Sequence, residues 1–440
     1  MPNCTDEKLD FGRLGRRVIE TDFSGGDLSS EGGALLLRRM DARLGLSSAA
    51  ARALGDDRQR GKVRHDLTSL LAQRIYGFCL GWSDVCDHNA LRKDLVVQTA
   101  VGRDQPLASA PTLSRLETSA TPRQAWALHG VLLAQFIASR SGPRRRAPRE
   151  LVLDVDATHV PLHGAQERAF FHGYYDSYCY LPLYVFCGQD LLACVLRPSD
   201  RDPASIVTAV LKRLVDALRQ VWPKVRIVVR GDSGFCRPHV LRRLDRWDVD
   251  YVLGLQKNVR LLGRVELAEL ALADQYQRRG TKQRMYGSFD YAADSWDRPR
   301  RVIARLEHGS LGSNPRFIVT SLRGEDRHLY DKRYCARGEA ENRIKEAQID
   351  LFGRRASCHR FWANQLRLLL AALAYTLMIN LRRRALAGTA LANACTTTIR
   401  VQLLKIAAAI VRNTRRVRVM LASSHPMRAV FARAAQALAP

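Results

Sequence analysis

Negative charge is what this sequence is short of. In 440 residues, 43 Asp and Glu stand against 70 Lys and Arg, a formal net charge of +27. Such an excess costs self-repulsion unless a polyanion offsets it, so nucleic acid is the leading partner. Long apolar runs are also missing. The longest, LLLAALAYTLMI (Leu368–Ile379), falls short of the roughly 20 residues a membrane-spanning helix needs. It reads as a buried helix, and neither a membrane partner nor a secretory leader is expected. The 10 cysteines form no CxxC pair. Cys179, Cys187 and Cys194 sit inside apolar stretches, where cysteine acts as a small hydrophobe. Cys79, Cys86 and His88 lack a second ligand pair at zinc-site spacing. This usage fits a reducing cytoplasm.

The length suffices for two or three domains, and no period marks a repeat architecture. Residues 1–147 read as mainly helical. Leu35, Leu36, Met40 and Leu44 suggest one helix, LTSLLAQRIYGFCLGW (Leu67–Trp82) another, and LASAPTLSRLE (Leu107–Glu117) a turn entering a helix suited to contact DNA. SGPRRRAPRE (Ser141–Glu150) reads as a linker. Residues 148–257 then alternate as β-β-β-α-β-α-β, from LVLDVDA through VRIVVRG to YVLGLQ. That is the strand order of a ribonuclease-H-like α/β core, a general α/β sheet being the alternative. Residues 258–330 read as short β segments and polar turns, an inserted β-rich subdomain. Residues 331–400 return to the core through a strongly helical stretch expected to end at Gly353, a suitable C-terminal cap. Residues 401–440 read as a basic helical tail.

Within this frame the stretch VVRGDSGFCRPHV (Val228–Val240) leaves a carboxylate, Asp232, at the mouth of a strand. Asp is at home in turns and caps, but here it has company. Asp154 and Asp156 are two apart on the first strand and share one face, opposite Leu151, Leu153 and Val155. The first and fourth strands lie side by side in this topology. Carboxylates converging there repel one another, and a hard divalent cation resolves that repulsion. A third acid is expected from the later helix. Glu341 lies on one stripe with Ile344, Gln348, Leu351 and Phe352, whereas Glu339, Glu346 and Asp350 project from the other side. The plain alternative for Glu341 is a salt bridge with Arg337 or Lys345.

These stretches resemble a known family. LDVDATHVPLHGAQE with GYYDSYCYLPL, VVRGDSGFCR, YCARGEAENRIKEAQIDLF and the late SSHP are together similar to blocks of the DDE transposases of bacterial insertion sequences. The closest likeness is to the insertion-sequence-1380 branch of the insertion-sequence-4-like superfamily. The resemblance assigns Asp156, Asp232 and Glu341 as catalytic metal ligands. It prefers Asp156 over Asp154 because Thr158 follows at the family's spacing. Tyr334, Arg337 and Glu341 fit a Tyr-Arg-Glu-Lys signature, but Gln348 occupies the Lys position, leaving Lys345 to make that DNA contact.

The resemblance further implies two Mg2+ ions, with Mn2+ as substitute, and an in-line attack on phosphodiesters. The substrates would be terminal inverted repeats and target DNA, and the assembly a homodimer on DNA. The setting would be a bacterial cytoplasm, at the nucleoid. Tyr334 and Arg337 would position phosphates, and Trp296 would stack on an extruded base or else belong to the core. The alternatives are a ribonuclease-H-like nuclease or resolvase without strand transfer, and an inactive DNA-binding derivative.

Overall fold

A computed structural model describes residues 9–141 and 146–439. Residues 142–145, the centre of the expected linker, lie outside the described residues. The chain divides into two compact units. One comprises Met1–Ala51, Asp56–Arg115 and Leu377–Pro440; the other comprises Arg52–Gly55 and Leu116–Thr376.

The second unit is built on a mixed sheet. Its first strands are β1 (Glu150–Ala157), β2 (Leu183–Cys187) and β3 (Asp190–Val195). Helix α1 (Val207–Val221) leads to β4 (Arg226–Gly231), and α2 (Pro238–Arg246) to β5 (Asp250–Leu255). Helix α3 (Val259–Arg279) precedes β6 (Gln283–Tyr291), β7 (Arg300–Gly309) and β8 (Arg316–Thr320). The sheet order is β6-β7-β8-β5-β4-β1-β2-β3, with the short Gly312–Ser313 strand on β7. β4 runs parallel to β1 and to β5, while β2 and β3 form the antiparallel edge. The β-β-β-α-β-α-β alternation is therefore present as expected, in a mixed α/β fold.

Both faces of the sheet centre are covered, which explains the nearly continuous apolar runs in its middle strands. On one face Leu153, Val155, Ile227, Val229 and Leu253 pack with residues of α1 and α2 in a single core cluster. Burying each such side chain is worth about 1.5–3 kcal/mol. On the other face Val228, Val252, Ile303 and Ile318 meet Leu329 and Tyr330, with Val152 and Tyr334 alongside. A chain segment beginning at Leu329 thus lies over the face that carries Asp154 and Asp156.

Three expectations are corrected. Residues 258–330 are not a separate β-rich subdomain: they open with the 21-residue α3, and β6–β8 extend the main sheet through β8–β5 pairing. The signals for α3 are local. The Asn258 side chain accepts the Leu261 N–H at 2.9 Å, Gly280 follows the last turn at φ 66°, and Leu261, Val265 and Leu272 form its buried stripe.

The tail is not wholly helical either. Ala408–Arg412 and Val417–Leu421 form an antiparallel hairpin. Asn413 turns it by accepting the N–H groups of Arg415 and Arg416, and β-branched alternation favours the extended form. Only Arg428–Ala437 beyond it is a regular helix. Finally, Phe352, at φ 60°, takes the left-handed conformation expected of Gly353. Gly353 is needed for a close approach instead, since a Cβ there would lie 2.9 Å from the Ala347 carbonyl.

The first unit is helical as expected through Ala34–Leu44, Leu67–Leu80 and Leu95–Val101, but a Leu9–Leu14/Arg17–Thr21 hairpin precedes these helices. Leu28–Ser29 pairs with Ala408–Arg412, so the two ends of the chain share this unit. The Phe361–Ala385 helix is long and apolar enough to cross a membrane by length and composition, yet 89% of its most apolar stretch is buried.

Candidate active site

β1 and β4 bring the aspartates together by register. Arg230 lies opposite Asp154 and Gly231 opposite Val155, so Asp232 leaves β4 level with Asp156. Asp232 also caps the short Ser233–Phe235 turn, its Oδ1 accepting the Gly234 N–H at 2.8 Å. The capping and clustering roles coexist. The tight bend needs small neighbours: a Cβ on Gly254 of β5 would come within 2.7 Å of the Tyr334 hydroxyl and 2.8 Å of the Ser233 nitrogen.

Over this edge runs the Leu329–Asp350 segment, which winds through π and 3-10 turns before helix α4 (Gly338–Lys345) and a closing π turn. Arg337 is the link. Its guanidinium lies 3.4 Å from Asp156 Oδ2 and 2.9 Å from Glu341 Oε1. The Arg337–Glu341 salt bridge is therefore formed, but it is one arm of a bridge that reaches the sheet. Burial, opposed by Arg337 and reinforced by the charges of Asp232 and Glu341, pushes the Asp156 carboxyl up to about 7. Tyr334 packs beside them. Burial raises its hydroxyl above the ordinary value, with Arg337 opposing and Asp232 adding.

The other candidates are arranged differently. Asp154 is only 4% exposed and is gripped by Arg230 through Nε at 2.5 Å and Nη2 at 2.8 Å. Burial still raises its carboxyl, outweighing Arg230. Arg230 Nη1 also donates to the Arg333 carbonyl at 2.5 Å, tying the overlying segment to the sheet. Glu339 is exposed and pairs with Arg343, as expected of the far side of the helix. Glu346, where the π turn begins, is buried and pairs with Arg343 as well. Gln348 is buried, its Oε1 accepting from the Thr158 hydroxyl at 3.2 Å, so it braces the strand of Asp156. Lys345 is exposed. Trp296 is half-buried in the β6–β7 connection, edge-on to Tyr291 at 5.6 Å and under Arg300.

Sequence reasoning passed over Arg230 and Gly254. Aligning the ends of LVLDVDA and VVRGD would have set Arg230 against Asp154. Nothing local marks Gly254, whose role is a close approach across strands.

The family described as Transposase DDE domain group 1 matches residues 11–440. This chain belongs to that family. No curated protein matches it. Among solved structures it is similar to the piggyBac transposase in a synaptic complex with hairpin DNA, at 10% identity and a TM-score of 0.43, over 84% of this chain and 78% of that one.

DDE transposases normally use divalent metal ions. The donor chemistry of this transposase fits one: Asp156, Asp232 and Glu341 supply hard carboxylate oxygens whose mutual repulsion helps hold a proton on Asp156. Among the described residues, however, no three His, Cys, Asp or Glu side chains stand close enough together to enclose an ion. Arg337 provides the positive charge between Asp156 and Glu341.

Proposed function

We propose that this transposase, of the insertion-sequence-4-like kind, binds the terminal inverted repeats of its element, cleaves DNA there and joins the 3′ ends to target DNA. The observation that carries the reading is the Arg337 bridge from Asp156 to Glu341, with Asp232 level with Asp156 at the end of β4 and its charge felt there. The strand order β3-β2-β1-β4-β5 supports a ribonuclease-H-like core beneath it. Asp156, Asp232 and Glu341 would hold divalent metal, two Mg2+ in the fullest form. Held by these carboxylates, such an ion would supply Lewis acidity to the attacking and leaving oxygens.

The chain's own residues position the substrate. Arg337 offers a fork of donors to a phosphate next to the cut, a geometry that suits charge-assisted bidentate bonds. Tyr334 presents its hydroxyl over Gly254 beside the same carboxylates. Exposed Lys345, on α4 beyond Glu341, extends the basic approach. The net charge of +27 supplies sequence-independent affinity for DNA. Joining two ends calls for a homodimer on DNA, in a bacterial cytoplasm at the nucleoid.

The test is incubation of the purified protein, across a salt series with and without Mg2+, with labelled duplexes carrying the repeats that flank its gene. Binding should weaken steeply as salt rises, and cleaved and joined products should form only with the divalent ion. Cleavage without joining would replace transposition by a nuclease or resolvase. Binding without either would mark a DNA-binding derivative.

A further inference from the structure

Beside the carboxylates the structure carries an aromatic cluster that the proposed chemistry does not use. Three residues beyond Asp156, His159 stacks on Tyr175 with ring centroids 4.6 Å apart and planes at 16°. Tyr175 sits in the turn between Phe170–His172 and Ser177–Tyr180, a hairpin in which Phe171 and Tyr178 meet edge-on at 5.7 Å. Tyr174 stands edge-on to Tyr175 at 4.9 Å and is 84% exposed.

This tip is held in place. Ser177 Oγ lies 2.9 Å from His159 Nε2, and Asp176 closes the turn at φ 48°. The cluster is also electrically close to the site. The Tyr175 hydroxyl is raised mainly by burial, then by Tyr174, with the charges of Asp156 and Asp232 contributing.

Rings fixed in this way and left in solvent forgo the burial that normally repays an aromatic side chain. What they offer is a flat face packed onto a residue three positions past Asp156. We propose that Tyr174, braced by Tyr175 and His159, is a stacking platform for an unpaired nucleobase of the DNA strand whose phosphate is held by Arg337 beside Asp156. The proposal rests on the DNA reading above. It commits to single-stranded nucleotides because only an unpaired base leaves its face free to stack, and every base has such a face.

The test measures fluorescence anisotropy with a labelled oligothymidylate strand and a labelled duplex of equal length. Wild type is compared with Tyr174→Ala and Tyr174→Phe, and thermal melts verify folding. Tyr174→Ala should weaken strand binding roughly fivefold to a hundredfold, as expected for one lost stack. Tyr174→Phe, which keeps the ring, should match wild type. Duplex affinity, carried by phosphate contacts, should change in none of them by more than about twofold. Unchanged strand binding by Tyr174→Ala, or equal losses on strand and duplex, overturns the platform while leaving the DNA reading intact. A wild-type protein that binds neither probe overturns both.

Discussion

Asp154 and Asp156 are two residues apart on one strand and point to one face, yet they occupy opposite situations. Asp154 has a dedicated partner: Arg230 holds both of its oxygens, and the pair is sealed beneath the overlying segment. Asp156 has no such grip. Its nearest cation, Arg337, is 3.4 Å away and shared with Glu341, and its neighbours Asp232 and Glu341 push its proton affinity up. A carboxylate already matched by a bidentate arginine has little left for a metal. One kept under repulsion is poised to accept a cation. The same residue type is thus locked into the fold at one position and left without such a lock two residues on.

The largest expected effects sharpen the chemical side of this contrast. Glu341→Gln or Asp232→Asn should lower cleavage of repeat-bearing DNA on the order of a thousandfold, as when a group that stabilises transition-state charge is lost. Binding should persist in a gel-shift assay. Arg230→Met probes the structural side. It leaves Asp154 buried and unpaired, which should cost roughly 3–5 kcal/mol in urea denaturation. An accompanying Asp154→Leu should recover most of that loss, since replacing both partners of a buried pair is often nearly neutral.

Acidity gives the next effect. Burial and neighbouring charge raise the Asp156 carboxyl from 3.8 to about 7 in the folded chain. The folded chain therefore holds a proton there that the unfolded chain has released. The stabilisation is fully present below pH 3.8 and is lost as pH rises to about 7. Relative to Asp156→Asn, wild-type stability should fall by up to about 1.4 kcal/mol per pH unit across that window. Parallel stability curves for the two proteins would contradict the repulsion argument.

Gly254→Ala is the smallest change. A methyl group placed against the Tyr334 hydroxyl and the Asp232–Ser233 turn should cost about 1–3 kcal/mol through overpacking, with a drop in cleavage larger than the melt alone explains.

Much of this contrast was legible in the sequence. Short apolar runs bounded by turn and helix signals yield β1 to β5 in order, and that order places Asp156 beside Asp232. The stripe through Glu341 and Ile344 holds because α4 is regular there. It fails at Glu346, which lies where the π turn begins and is buried although ideal geometry leaves it outside. The choice between Asp154 and Asp156 could not come from strand periodicity, which treats them alike. It depends on Arg230, a partner 76 positions away in the chain. Residues 258–330 read as a separate subdomain because β6–β8 look like any short strands. Only hydrogen bonding between β8 and β5 shows that they continue the main sheet.

The most direct measurement sets Asp154→Asn against Asp156→Asn, each assayed at pH 8 by thermal melt and by cleavage of repeat-bearing DNA in Mg2+. Asp156→Asn should melt above wild type, because a repelling charge is gone, and should not cleave. Asp154→Asn should melt below wild type, because Arg230 has lost its partner, while its folded fraction still cleaves. A folded Asp154→Asn protein without activity, or an Asp156→Asn protein that cleaves, would contradict the division of labour along this strand.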